Sequence, residues 1–297
     1  MQFGIFDHME QRGGALGALY EERLQMLEYA DAAGFARYHK AEHHFTPLDA
    51  APSSMVFLAA ASQRTQRIRL GSLVCLLPFY HPVRFIEEVC ALDHLSGGRL
   101  DIGIGKGISP IEHRLWGNPD EQAMPRTLEA IEVVRKGLTN EFLSHAGAFH
   151  TFDRLPMTLA PLQRPHPPLW YPGNVEFAGA RRLNTVIGGP IGTVKAQVER
   201  FRELIADAQV DWNPGVGTPM IGATRRDDFA ALVRRRGHGR GQGIGQAGAP
   251  ARLTHSSLRC HNRCATVGSL ASSLHGTTRQ SCRYAPARSA AGSCTAA

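Results

Sequence analysis

Apolar positions in the first two thirds of the chain follow two periods in turn. Short runs with strand character fall at residues 2–6 (QFGIF), 35–41 (FARYHKA), 67–77 (RIRLGSLVCLL), 100–105 (LDIGIG), 168–173 (PLWYPG) and 184–189 (NTVIGG). Between them, apolar side chains recur every three or four residues, the spacing that gathers them on one helix face. Tyr20, Leu24 and Leu27 mark the first helix, and Gly34 is suited to end it in a left-handed conformation. A second helix spans 53–65 with Ser53 or Ser54 as its cap. The third has Pro82 at a permitted first position, a stripe of Phe85, Val89 and Leu92, and Gly97 and Gly98 as its stop. Leu128, Ile131, Val134 and Leu138 predict a helix over about 121–138, VEFAGARR a short one from Val175, and Val194, Val198, Phe201 and Ile205 another. Segment 139–167, with several prolines and isolated aromatics, reads as a long loop, and hence as a functional insertion or lid.

Strand followed by helix, repeated, implies parallel strands with crossover helices. Six such units exceed one half of a doubly wound sheet, and no GxGxxG opens a helix after the first strand. The expected fold is therefore an α/β (β/α)8 TIM barrel. Residues 217–226 supply a seventh strand and 227–236 part of its helix, but from Gly237 the pattern stops. The expected domains are 1–236, a barrel lacking its final units, and 237–297, a basic tail. The tail reads either as a disordered arm, since it lacks the apolar content to offset ordering, or as the product of a reading-frame change between Arg225 and Gly237.

Charge sharpens that division. The chain carries 33 basic and 26 acidic residues, and the 69 residues after Asp228 hold ten arginines, no lysine and no acid, so residues 1–228 alone stand at −3. The basicity belongs to the tail, which argues against nucleic acid or membrane as partner. No run of about 18 apolar residues occurs, and the N-terminus lacks a signal-peptide pattern, so a soluble cytoplasmic protein is expected. Cys75 and Cys90 read as reduced core thiols, while Cys260, Cys264, Cys282 and Cys294 have no trustworthy metal or disulfide spacing.

In a barrel the loops after the strands share one face, where chemistry collects. Candidates there are Asp7 and His8, then Glu42, His43 and His44, then Pro78 to His81, then Gly105, Lys106 and Gly107, then Gly173 and Asn174. His43 and His44 lack the i,i+4 spacing of a zinc helix. Adjacent residues on an extended segment point opposite ways, so only one ring can face a given centre. A metal would need His8 or His81 as well as a carboxylate. Proton transfer or ligand anchoring, and hydrogen-bonded packing, are the other readings. Glu42 can orient either ring. In GIGKGIS the glycines allow close backbone approach and Lys106 can meet a phosphate. NTVIGGPIGT offers a second anion site in principle, at a helix start near Thr193.

Taken together, MQFGIF, GFARYHKAEHHFTP, the run from RIRLGSLVCLLPFYHP through DHLSGGRLDIGIGKG, RTLEAIEVVRKGLT and PLQRPHPPLWYPGNVEFAGARRLNTVIGG resemble the bacterial luciferase-like flavin-dependent monooxygenases. The resemblance covers roughly residues 1–222 and rests most on EHHF, LPFYHP and DHLSGGR in that order. It implies a luciferase-like barrel and an enzyme that takes reduced FMN from a separate flavin reductase. Such an enzyme reacts the flavin with O2 to a C4a-peroxide and oxidises a small organic substrate. It implies His43 as the catalytic histidine with Glu42 beside the same pocket, and a non-proline cis peptide at Leu73–Val74 beneath the flavin ring. Lys106 would stand near the flavin phosphate, where an arginine is common, with Gly173 and Asn174 in the phosphate-binding loop. No metal is implied, and a homodimer is compatible. An F420-dependent hydride-transfer oxidoreductase and a catalytically impaired flavin-binding subunit are the alternatives.

Overall fold

In the computed structural model, which describes residues 2–11 and 13–224, the alternation of periods becomes an arc of parallel strands wrapped by helices. The chain begins β1 (Gly4–Asp7), α1 (Leu16–Ala32), β2 (Arg37–Lys40), α2 (Ser54–Arg64), β3 (Arg69–Ser72) and β4 (Cys75–Leu76). It continues α3 (Pro82–Leu95), β5 (Leu100–Gly105), α4 (Pro110–Leu115), α5 (Asp120–Thr139), β6 (Phe142–Ala146) and β7 (Thr151–Pro156). Last come β8 (Leu169–Trp170), α6 (Val175–Gly179), β9 (Thr185–Gly188), α7 (Ile191–Ala206) and β10 (Ile221–Thr224).

Seven parallel staves follow one another in chain order. β1 pairs with β2, β2 with β3, β3 with β5 and β5 with β8, in registers such as Ile5↔Tyr38, Tyr38↔Leu70, Leu70↔Leu100 and Ile102↔Leu169. A bridge from Trp170 to Asn184 carries the arc to β9, which pairs with β10. Among the described residues β10 does not pair with β1, so the arc is not closed into a barrel there. The expected helix at 227–236, the domain boundary at 236, the tail and the frame change all lie outside the described residues.

Alternation along β2 shows which way the strands face. Tyr38 turns outward to the helices, meeting Phe57 of α2 at 6.3 Å, while His39 turns inward against Trp170 of β8 at 4.7 Å. The core between strands and helices gathers Leu27, Leu58, Leu70, Phe85, Ile86, Val89, Ile131 and Phe201. Each such side chain contributes roughly 1.5–3 kcal/mol on leaving water. Inside the arc, at the N-terminal ends of the strands, Asp101 is 1% exposed and receives Arg37 Nε at 3.1 Å and Arg69 Nε at 2.9 Å. Burial by itself would raise this carboxyl, but the nearby His39 ring and the charge and hydrogen bond of Arg69 bring it below its ordinary value.

Three expectations are corrected. The third strand is two pieces, β3 and β4, both parallel to β5 and separated by a cis peptide at Leu73–Val74. Leu128 is 38% exposed, and the buried stripe of α5 runs instead through Ala130, Ile131, Val134 and Leu138. Segment 139–167 is more than a loop, since β6 and β7 form an antiparallel hairpin. Glu129 of α5 holds the tip of that hairpin through the N–H groups of Ala148, Phe149 and His150. Also missed is α4, whose two turns are too short for periodicity to reveal. Gly34, by contrast, does end α1 with a positive φ of 83°.

Candidate functional site

Because the staves are parallel, the loops after β1, β2, β4, β5 and β8 open on one side, and most of the candidate residues lie on them. His43 follows β2. Its ring lies flat against His8 from the loop after β1, with centroids 5.5 Å apart and planes 11° apart. Its Nδ1 is 3.3 Å from Glu112 Oε1, a carboxylate carried by α4 after β5. Its backbone N–H donates to Asp49 Oδ2 at 3.1 Å. Asp49 is itself fixed by Lys40 Nζ at 2.6 Å and by the N–H of Ala51 at 2.8 Å. Burial pushes the Lys40 ammonium below its usual value and the Asp49 charge opposes that. A buried ion pair thus underlies the loop that presents His43.

His44 faces elsewhere, as adjacent residues on an extended segment must. Its Nε2 is 3.0 Å from Glu42 Oε1, and its ring meets the edges of Phe79 and Trp116. Glu42 is 2% exposed and also accepts the Tyr80 hydroxyl at 2.8 Å. Burial raises its carboxyl despite hydrogen bonds from His44 and Tyr80. Burial likewise pushes the Tyr80 phenol far up, aided by the negative charge of its neighbours. A cavity of about 340 Å³ opens beside this group, lined by His44, Pro52, Ser53, Phe79, Tyr80 and Trp116. Glu42 therefore pairs with His44 and Tyr80, while the carboxylate at His43 is Glu112.

The expected cofactor-binding residues sit on the same side. Leu73 is buried and its N–H donates to Lys40 O at 2.7 Å, and Val74 packs beside Gly105. Lys106 is half-buried and makes no hydrogen bond or ion pair within the described residues. After it, Gly107 has a positive φ of 84° and lies against His113, an imidazole 1% exposed with neither ring nitrogen hydrogen-bonded among the described residues. Gly173 has φ 78°, with nothing within 4 Å of where a Cβ would sit, so a ligand can approach its backbone. Asn174 uses its side chain to cap α6, accepting Phe177 N–H at 2.9 Å. Among the described residues an ammonium and a buried imidazole without hydrogen-bond partners follow β5, and an open glycine loop follows the neighbouring β8; these are groups of the kind that suit a flavin phosphate. No group of three His, Cys, Asp or Glu among the described residues is placed to hold a metal.

Three participants escaped the sequence reading: Glu112, Asp49 and His113. Glu112 stands in Ser109-Pro-Ile-Glu112, a pattern whose local meaning is a helix cap. Its proximity to His43, 69 residues earlier, belongs to the tertiary structure.

Comparison with known proteins adds an independent line. A sequence model described as luciferase-like monooxygenase matches residues 1–267. The uncharacterized protein y4wF of Sinorhizobium fredii is 41% identical over 206 residues, covering 68% of this chain and 60% of that protein. The oxygenase component of the flavin-dependent trigonelline monooxygenase of Acinetobacter baylyi is 31% identical over 208 residues, covering 68% and 58%. Among solved structures, monooxygenase RslO1 from Streptomyces bottropensis superposes with a TM-score of 0.70 at 27% identity, covering 80% of this chain and 75% of that one. The chain thus spans about three fifths of the length of these two curated relatives.

Proposed function

The chain belongs to the luciferase-like monooxygenase family, and from that premise we propose that it is a flavin-dependent monooxygenase that uses reduced FMN and O2 on a small organic substrate. The observation that carries the reading is the joining of His43, His8 and Glu112 on the face that also presents Lys106 and the open Gly173 loop. Reduced FMN, when bound, supplies the electrons that activate O2, with one oxygen atom going to the substrate and the other leaving as water. In this proposal Lys106 meets the phosphate, joined by the backbone at Gly173 and Asn174. Leu73 and Val74 form the floor beneath the flavin ring. His43 moves the proton, because imidazole both accepts and donates near neutral pH. Glu42 acts through His44 and Tyr80, shaping the wall beside the cavity.

A separate reductase supplies the FMNH2, a role in keeping with the relative that is the oxygenase component of such a system. In this proposal residues 1–236 form the luciferase-like barrel domain, a homodimer is compatible with it, and the cytoplasm is its location. No helix among the described residues is long and apolar enough to cross a membrane.

The test is to mix the full chain anaerobically with reduced FMN or reduced F420, add O2, and follow reoxidation with and without trigonelline as first probe substrate. Binding of FMNH2 with slowed reoxidation and oxygen transfer to an organic probe is expected. Selective binding of F420 with hydride transfer in the absence of oxygen would favour the alternative enzyme class. Flavin binding with no change in reoxidation would favour a binding subunit.

A further inference from the structure

We propose that Glu112 is a positioning residue of the site: its carboxylate holds the His43 imidazole with the proton on Nδ1, leaving Nε2 as the nitrogen that exchanges protons. The inference deepens the reading of His43 as the proton-transfer residue and rests on it.

The first ground is what Glu112 does not do. Ser109 is the N-cap of α4 and accepts the Glu112 N–H at 3.4 Å, so the Ser-x-x-Glu half of a capping box is in place. The reciprocal half would send the glutamate back to the Ser109 N–H. Here the carboxylate instead meets His43 Nδ1 at 3.3 Å, and that is its only hydrogen bond within the described residues. Local helix chemistry is given up for a contact across the site.

The second ground is energetic. The Glu112 residue is 2% exposed. Burying a carboxylate costs several kcal/mol, and a single imidazole partner is poor compensation if stability were the only purpose. An ionised carboxylate only accepts, so the bond requires a proton on Nδ1. That choice of tautomer is what a carboxylate behind a catalytic histidine provides.

The third ground is completeness. Among the described residues three contacts hold His43, and each constrains a different part of it. The loop after β1 lays the His8 ring on its face, Asp49 holds its backbone N–H, and α4 brings Glu112 to Nδ1. Glu42 and His44 face the other way and bond to each other. Only Glu112 touches a ring nitrogen of His43 among the described residues, so only Glu112 can set its tautomer.

The experiment uses the full chain with 15N-labelled histidine rings, comparing wild type, Glu112→Gln, His43→Ala and the double variant. His43→Ala assigns the His43 ring signals. Wild type is expected to show the Nδ1–H form of His43, and Glu112→Gln a mixture of the two tautomers. In the reduced-FMN assay, Glu112→Gln is expected to lower kcat roughly ten- to hundred-fold, by analogy with partners that orient metal-bound histidines, with KM nearly unchanged. In the His43→Ala background the same substitution should cost nothing further. Glu112→Asp is expected to recover part of the tautomer preference. An unchanged tautomer in Glu112→Gln, or an equal loss on both backgrounds, overturns the proposal. Should the wild-type chain fail to turn over, the functional reading falls while the ring spectra still decide the role of Glu112.

Discussion

Two histidines adjacent in the chain end in different company, and the difference is physical. His43 is held by a carboxylate 69 residues later and by a ring from another loop. His44 is held by the residue two before it and walls an apolar cavity. Glu42, Tyr80 and His44 form a unit whose titration has a definite sign. The Glu42 carboxyl is raised by burial. Its contribution to stability is therefore complete below its unfolded-state value and is lost as pH rises through the higher folded-state value. Tyr80→Phe removes a 2.8 Å donor that favours the ionised form. The expected loss is about 1–2 kcal/mol where Glu42 is ionised and smaller where it is protonated. Urea midpoints measured on both sides of that titration check this, and a pH-independent loss would contradict the assignment.

At the level of elements, the hairpin β6–β7 is fastened by one side chain. Glu129 of α5 accepts the N–H groups of Ala148, Phe149 and His150 at 2.9, 3.0 and 2.7 Å. On the other side of the tip, the His150 ring meets His81 at the entrance to α3. Burial tends to raise the Glu129 carboxyl, but the three backbone donors bring it below its ordinary value. The clamp is thus engaged above that ordinary value and is released as pH falls through the lowered one. Glu129→Gln is expected to weaken the clamp by about 1–3 kcal/mol and to speed amide hydrogen exchange at residues 148–150 ahead of the rest of the hairpin. Exchange unchanged at those amides would show that the tip is held by other contacts. Periodicity missed this hairpin because β7 is exposed at four of its six positions and half-buried only at Phe152 and Leu155, three residues apart, so no alternating apolar face is written in the sequence.

For the molecule as a whole, the arc of strands is filled at its N-terminal end by charge. Asp101 is fully buried between Arg37 and Arg69, and His39 lies beside it. Removing one member of a buried charged group leaves the others uncompensated, at a cost of about 3–5 kcal/mol. Asp101→Asn is expected to lose that much at neutral pH in urea unfolding. Since the folded-state value of Asp101 is depressed, its stabilisation is present above the unfolded-state value and disappears as pH falls through the folded one. The gap between wild type and variant should therefore close in acid. A gap that persists there would show a packing effect of the amide.

The sequence by itself determined the order of the parallel strands and of all the helices but α4, because strand and helix periods are local and each is written within a few residues. It placed β5 at 100–105, the stop of α1 at Gly34 and the start of α3 at Pro82, and it brought His43, Lys106, Gly173 and Asn174 to one side through the parallel order alone. The position of the cis peptide was legible only through family resemblance. Which carboxylate serves which histidine was decided by the tertiary structure. Glu42 is the neighbour of His43 in sequence, yet the alternation of an extended chain turns it to His44, and strand order brings the first turn of α4 against His43 instead. The first pairing is local, but nothing near the histidine pair in sequence encodes the second, because it depends on β2 and β5 being held two strands apart by β3.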